Sequence, residues 1–218
     1  MAERSLLEVK VWGDLACFTR PEMKAERVSY PVMTPSAARG ILEAIFWKPE
    51  FSWIVREIWV LNPVSYTPIM RNEVQTRQSY RTATGWAAAG AGNFVAPDDR
   101  TQRHTLALRD VGYVIRADMQ LRADVPDNIA KYRDQFRRRV ARGQCFSMPY
   151  LGCREFSASF GPLDGNETPV AISDDLGGML HGIDYDLTTQ GAGTPSFFAA
   201  RLDHGVLRVP PAPEIGAD

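Results

Sequence analysis

Residues 131–155 read KYRDQFRRRVARGQCFSMPYLGCRE, an amphipathic helix running into a glycine-bounded turn. Extended back to Asn128, the helix is expected to reach Arg142. At about 100° per residue its apolar positions Ile129, Tyr132, Phe136 and Val140 fall within about 80° of one another, the width of a buried stripe. Lys131, Arg138 and Arg142 gather within about 40° on the opposite face. The segment carries Lys131, Arg133, Arg137, Arg138, Arg139, Arg142 and Arg154 against Asp134 and Glu155. A solvated helix usually mixes both signs in i,i+4 pairs. The shortage of acids here favours a ridge that tracks phosphates over a merely hydrated face. The turn that follows, Gly143–Gly152, adds Phe146, Pro149 and Tyr150.

Working outward, Leu7, Val9 and Val11 alternate with Glu8, Lys10 and Trp12 as in a half-buried strand. Thr34-Pro35 reads as a helix start, with Thr34 as N-cap and Pro35 at the first helical position. The apolar stripe Ala38, Ile41, Leu42, Ile45 follows, and Pro49 stops it. Trp53–Val60 reads as a second strand and residues 64–75 as a further strand or hairpin. From Thr76 to Arg103 periodicity disappears, which predicts a long loop. His104–Leu121 is strand-rich, with a bend expected at Arg109-Asp110. Beyond residue 154 lie short strand-like runs and a PPAPE tail expected to fray. The order strand, helix, strand, hairpin, strand, helix is that of the split β-α-β, ferredoxin-like plan that RNA-recognition domains also use. The expected class is α+β: an RRM-like domain over residues 1–154 and a small β-rich domain over 155–218.

The formal charge of −1 conceals a division. Residues 1–154 hold 23 basic and 16 acidic side chains, net +7, and residues 155–218 hold 2 and 10, net −8. The basic part would attract polyanions without regard to sequence. At 218 residues, 44% of them hydrophobic, the chain can bury a proper core. No apolar run approaches the roughly 20 residues of a membrane span. The opening MAERSLLEVK has no apolar targeting core. Cys17, Cys145 and Cys153 are an odd set without C-x-x-C spacing, which argues against a disulfide framework and a zinc site. A reduced cytoplasmic protein without metal or cofactor is the expectation.

Residues 71–103 interleave Arg71, Arg77, Arg81, Arg100 and Arg103 with Tyr80, Trp86 and Phe94. Single-stranded RNA is gripped by such a mixture, cations on phosphates and flat rings on bases. A flexible insertion that touches a neighbouring subunit explains the same composition. The three histidines, His104, His181 and His204, show no triad spacing. Asp184 and Asp186 lie two apart but lack a third partner with metal-ligand spacing, so a polar edge is the better reading. P-loop, GxGxxG and HExxH patterns are absent.

Four blocks, VWGDLACFTRPEMKAERVSYPVMTPSAARGILEAIFWKP, LALRDVGYVI, RRRVARGQCFSMPYLGCREF and GGMLHGIDYD, together resemble the type I-C (Dvulg) CRISPR-associated proteins of the Cas-five family, "d" variant. The likeness spans nearly the whole chain in order. It implies an RRM-like domain with a small β-sheet appendage that binds the stem-loop repeats of CRISPR precursor RNA. Such proteins stand in for a dedicated processing nuclease, then stay on the 5′ handle of the crRNA in the surveillance complex.

The resemblance also implies a catalytic set: a tyrosine ending the first helix and a lysine–histidine pair opening the second. Those positions are Phe46, Lys131 and Tyr132, so only the lysine is kept. The implied reaction is metal-independent: a ribose 2′-OH attacks its own 3′ phosphorus, leaving a 2′,3′-cyclic phosphate and a 5′-OH. Lys131 can stabilise charge on the phosphoryl oxygens. Tyr132, with an ordinary pKa of ~10, is a weak base at neutral pH but a possible acid. Losing an efficient general base typically forfeits about 10²–10⁴ in rate. His104 is the fallback base. The expected RNA-binding residues are Arg133, Arg137, Arg138, Arg139, Arg142, Lys48, Arg77, Arg81 and Arg103. Three functions follow: a repeat-RNA nuclease, a non-catalytic subunit capping the handle, or a general RNA- or DNA-binding module. The basic face could also take double-stranded DNA.

Overall fold

The computed structural model describes residues 6–23, 25–126, 128–185 and 193–211. Asp186 and the last part of the PPAPE tail lie outside the described residues. The first strand, β1 (Leu7–Ala16), buries Leu7, Val9 and Val11 and exposes Glu8 and Trp12, as the alternation predicts. After a two-residue strand β2 (Arg27–Val28) comes α1 (Pro35–Ile45). Thr34 caps it by accepting the Ala37 N–H at 3.3 Å. The stripe Ala38, Ile41, Leu42, Ile45 is buried as expected. Strand β3 (Phe51–Val60) follows, then β4 (Tyr66–Val74).

Residues 76–103 are not the loop expected from sequence. They hold α2 (Tyr80–Ala89), a 3₁₀ turn (Ala96–Asp99) and the start of β5 (Arg100–Leu121). Ser79 caps α2, and Gly90, with φ of +59°, closes it. Helical periodicity in a sequence records the burial of one face. Nothing in α2 is buried, so it has no stripe to read.

β5 is the spine of the sheet. Its first half pairs with β4 in an antiparallel ribbon, Tyr66 opposite Leu108 through Val74 opposite Arg100. Its second half pairs with β1 on one side and β3 on the other. Between the halves Asp110 takes a positive φ of 51°, at the place where a bend was expected. Asn62 holds that turn by donating to the Asp110 carbonyl at 2.7 Å.

Helix α3 (Ile129–Ala141) follows, then β6 (Ser159–Gly161), β7 (Asp174–Tyr185), β8 (Gly193–Asp203) and β9 (Val206–Arg208). The sheet order is β6-β1-β5-β3-β9-β8-β7, with β2 and β4 also on β5. α1 and α3 pack on this sheet and on each other. One continuous core joins Val9, Val11, Ile58 and Ile115 from the strands to Ile41, Ile45 and Phe136 from the helices. Leu176, Met179, Leu202 and Leu207 of the C-terminal strands belong to the same core. Among the described residues no helix is long and apolar enough to cross a membrane.

Candidate nucleic-acid interface

The interface is built on α3. Asn128 caps it, accepting the Ala130 N–H at 2.9 Å. Tyr132, Phe136 and Val140 are buried as the stripe predicts, each stabilising the fold by roughly 1.5–3 kcal/mol. Arg133 joins them. Its guanidinium meets Asp118 of β5 at 2.6 Å and is almost wholly enclosed, so this expected RNA-binding cation faces the sheet. The seven-base run is therefore not one surface. Lys131, Arg137, Arg138 and Arg142 are exposed, and Arg137 pairs with Asp134 at 3.0 Å.

Arg139 is half-buried for another reason. It donates to the Ile45 carbonyl at 2.8 Å and lies over the Phe46 ring at 5.3 Å. The last carbonyls of a helix lack internal partners, so a cation there both satisfies one and complements the dipole. Arg139 thus ties the C-terminal end of α1 to α3. The following turn docks on the same end: Phe146 and Ser147 donate their N–H groups to the Ala44 carbonyl at 2.8 and 3.3 Å. This leaves Phe146 85% and Trp47 55% exposed. Lys48 is exposed beside Trp47. Trp47 and Phe146 thus stand exposed at the end of α1 that Arg139 joins to α3, flat rings of the kind on which bases stack. Sequence reasoning missed Trp47 as part of the interface. Its signal was an indole between the end of a helix and Pro49, a place where no strand or helix could bury it.

The three positions implied by the resemblance come together around Phe51. Its ring lies 5.5 Å from Phe46 and 5.4 Å from Tyr132, and the Lys131 ammonium sits 5.0 Å from the Tyr132 ring. Phe46 and Tyr132 are both buried, at 1% and 3% exposure, while Lys131 is at the surface. Phe46 spends its backbone on the core too, accepting the Trp53 indole N–H at 2.9 Å.

His104 is not brought to this cluster. It lies in the β4–β5 ribbon opposite Met70, and its N–H bonds the Glu26 carboxylate. Asp118, which holds Arg133, is fourteen residues further along the same strand. At about 3.3 Å per residue that separation is tens of ångströms. Arg103, half-buried beside it, faces Glu26 at 3.7 Å. Arg77 and Arg81 are exposed at α2, away from α3 in the chain but with Tyr80 standing fully out beside them.

A long, mostly antiparallel sheet with α1 and α3 packed on it makes a mixed α/β protein, and its exposed basic, ring-bearing surface has the chemistry a nucleic-acid ligand would need. A family model described as CRISPR-associated protein (Cas_Cas5), the Cas5d group, matches residues 6–210. The chain belongs to that family. It is 45% identical over 224 residues to the CRISPR pre-crRNA endoribonuclease Cas5d of Mannheimia succiniciproducens, covering 97% of this chain and 96% of that protein. It is 47% identical over 219 residues to the protein of the same name from Thermus thermophilus, covering 94% and 91%. Among solved structures it is similar to one described as a CRISPR-associated protein, with TM-score 0.67, 24% identity and coverage of 96% and 93%. The functionally uncharacterized SMU1763c from Streptococcus mutans shares the fold at TM-score 0.65 and 20% identity.

Proposed function

We propose that this chain binds CRISPR repeat RNA, cleaves the precursor at the repeat stem-loop, and stays on the 5′ handle of the crRNA beside other subunits of a type I-C surveillance complex. The observation that carries the reading is membership of a family whose relatives, 45% and 47% identical over nearly their whole lengths, are named pre-crRNA endoribonucleases. The exposed Lys131, Arg137, Arg138 and Arg142, with Lys48, Trp47 and Phe146, supply the groups such a ligand needs. Arg77 and Arg81, exposed at α2, and Arg103, which faces Glu26, are a second set of basic groups at the β4–β5 ribbon, apart from α3.

The architecture is read as RRM-like. In its favour, β6-β1-β5-β3 run in the order of a split β-α-β sheet with α1 and α3 packed against it. On this reading residues 155–218 lend their first strand to the RRM-like sheet and form a β-rich unit with the rest.

The reaction is metal-independent transesterification. The substrate's 2′-OH attacks the adjacent phosphorus, and the 5′ oxygen departs. Lys131 stabilises the phosphoryl oxygens, and Tyr132 is the candidate acid. A second reading has a specific basis: Phe46 has no ionisable group, and Tyr132 is 3% exposed, so the chain acts as a non-catalytic cap on the handle. Incubating the protein in excess with repeat RNA in EDTA decides between them. Cleavage to a cyclic-phosphate end supports the nuclease. RNA left intact at long times supports the cap, and cleavage that needs added divalent metal overturns the mechanism.

A further inference from the structure

Two of the three cysteines meet where β1 ends. Cys17 follows the last residue of β1, and its N–H bonds the Leu151 carbonyl at 3.0 Å. Cys153 comes back to the same spot, its thiol 3.6 Å from the Cys17 carbonyl. Both sulfurs lie on the Thr19 hydroxyl, at 3.5 and 4.0 Å, so the one side chain links the two thiols. Gly152 lets the backbones run this close, since a Cβ there would strike the Cys17 carbonyl.

The two sulfurs are not equivalent. Arg27 points its Nη1 at Cys153 from 3.2 Å, while also pairing with Glu155 at 3.2 Å and Glu73 at 3.5 Å. The neighbouring Cys17 thiol and the Arg27 charge both favour the ionised form of Cys153. Together they outweigh burial and hold the Cys153 thiol below its ordinary range. For Cys17 the neighbouring Cys153 and burial push the other way. A thiolate beside a guanidinium with a protonated thiol close by is the arrangement of an attacking and a resolving cysteine. Cys17 is wholly buried, but Cys153 is 8% exposed, and their chain neighbours Phe18 and Gly152, with Thr19 and Tyr150, line a cavity of about 250 Å³.

We propose that Cys153 and Cys17 form a peroxide-sensitive modification site that closes to a disulfide and pins the 143–156 turn to the end of β1. The Cys153 thiolate attacks one oxygen of hydrogen peroxide. The O–O bond breaks, sulfur is oxidised to sulfenic acid and, with one proton taken up, the other oxygen leaves as water. Cys17 Sγ then attacks the Cys153 sulfur, and its proton leaves with the sulfenic oxygen as a second water. Two thiols and one peroxide become one disulfide and two waters. The stapled turn is the one that presents Phe146 and Tyr150, so oxidation fixes their frame without altering the residues of α3.

The test exposes the wild-type protein to dilute hydrogen peroxide, quenches with an alkylating agent and maps peptides without reduction. The Cys17–Cys153 linked peptide is expected, with loss of two hydrogens and reversal by dithiothreitol. Cys145, half-buried in the turn, serves as internal reference and should react at least about tenfold more slowly than Cys153. In Cys17→Ser, a diketone probe should trap sulfenic acid on Cys153. Recovery of Cys17 and Cys153 as alkylatable thiols after Cys145 has been oxidised overturns the proposal. So does sulfinic acid on Cys153 in wild-type protein without a linked peptide. The mapping in wild-type protein is decisive even if the serine variant fails to fold.

Discussion

Lys131 and Arg133 stand two residues apart on α3 and face different surroundings. The Lys131 ammonium is at the surface against the Tyr132 ring, and the Arg133 guanidinium is enclosed against Asp118. Their substitutions should separate accordingly. On the proposed mechanism Lys131→Ala removes a charge from the phosphoryl oxygens. Single-turnover cleavage should slow by about 10²-fold, the scale of removing one group that stabilises the transition-state charge, with repeat-RNA affinity nearly unchanged. Cleavage at the wild-type rate would place the chemistry elsewhere. Tyr132→His restores the pair implied by the family resemblance, and a faster enzyme is the expected result. Arg133→Ala instead leaves Asp118 without its cation, costing about 3 kcal/mol, whereas Arg138→Ala on the exposed face should fall within about 0.5 kcal/mol of wild type. Urea midpoints measure both. Equal stability of the two variants would mean that the Arg133–Asp118 pair contributes nothing.

At the scale of elements, legibility in the sequence followed burial. Thr34-Pro35 announced α1, alternation announced β1, and Ile129, Tyr132, Phe136 and Val140 announced α3, because each buries one face. α2 was invisible because it buries none. The inward turn of Arg133 was invisible for a related reason: its partner Asp118 is fifteen residues away on another element, and a cation's angular position places it at the edge of the stripe without saying what waits there. The outer ridge was readable as a pattern but not as a function. Replacing Arg138 and Arg142 together by alanine tests it. If both touch phosphates, the slope of log affinity against log salt should fall by roughly 0.7–0.9 for each phosphate no longer neutralised, and affinity should drop for any RNA of the same length. An unchanged slope in fluorescence-anisotropy titrations would reduce the ridge to a solvated face.

Across the whole molecule the basic and acidic halves of the sequence are joined by one sheet. β6 pairs with β1 from Lys10 to Trp12, and β9 pairs with β3 from Glu57 to Trp59, so residues beyond 154 cover both edges of the first unit's strands. Their side chains Leu176, Met179, Leu202 and Leu207 share its core. A β-sheet edge left unpaired and an apolar face left open are both unfavourable, so the two units should fold together despite their opposite net charge. The tryptophans offer a clean readout. All five, Trp12, Trp47, Trp53, Trp59 and Trp86, precede residue 155, but Trp12 and Trp59 lie in the ladders with β6 and β9; with those two replaced by phenylalanine, indole fluorescence follows the first unit, whereas far-ultraviolet circular dichroism reports both. In urea the two signals should trace one superimposable transition, the signature of a single cooperative unit. A chain ending at residue 154 should give no cooperative transition at all. Dichroism that changes before the indole signal does, or a truncated chain that unfolds at the full-length midpoint, would show instead that residues 155–218 are an independent domain. Their strands would then contribute to the sheet without being needed for it.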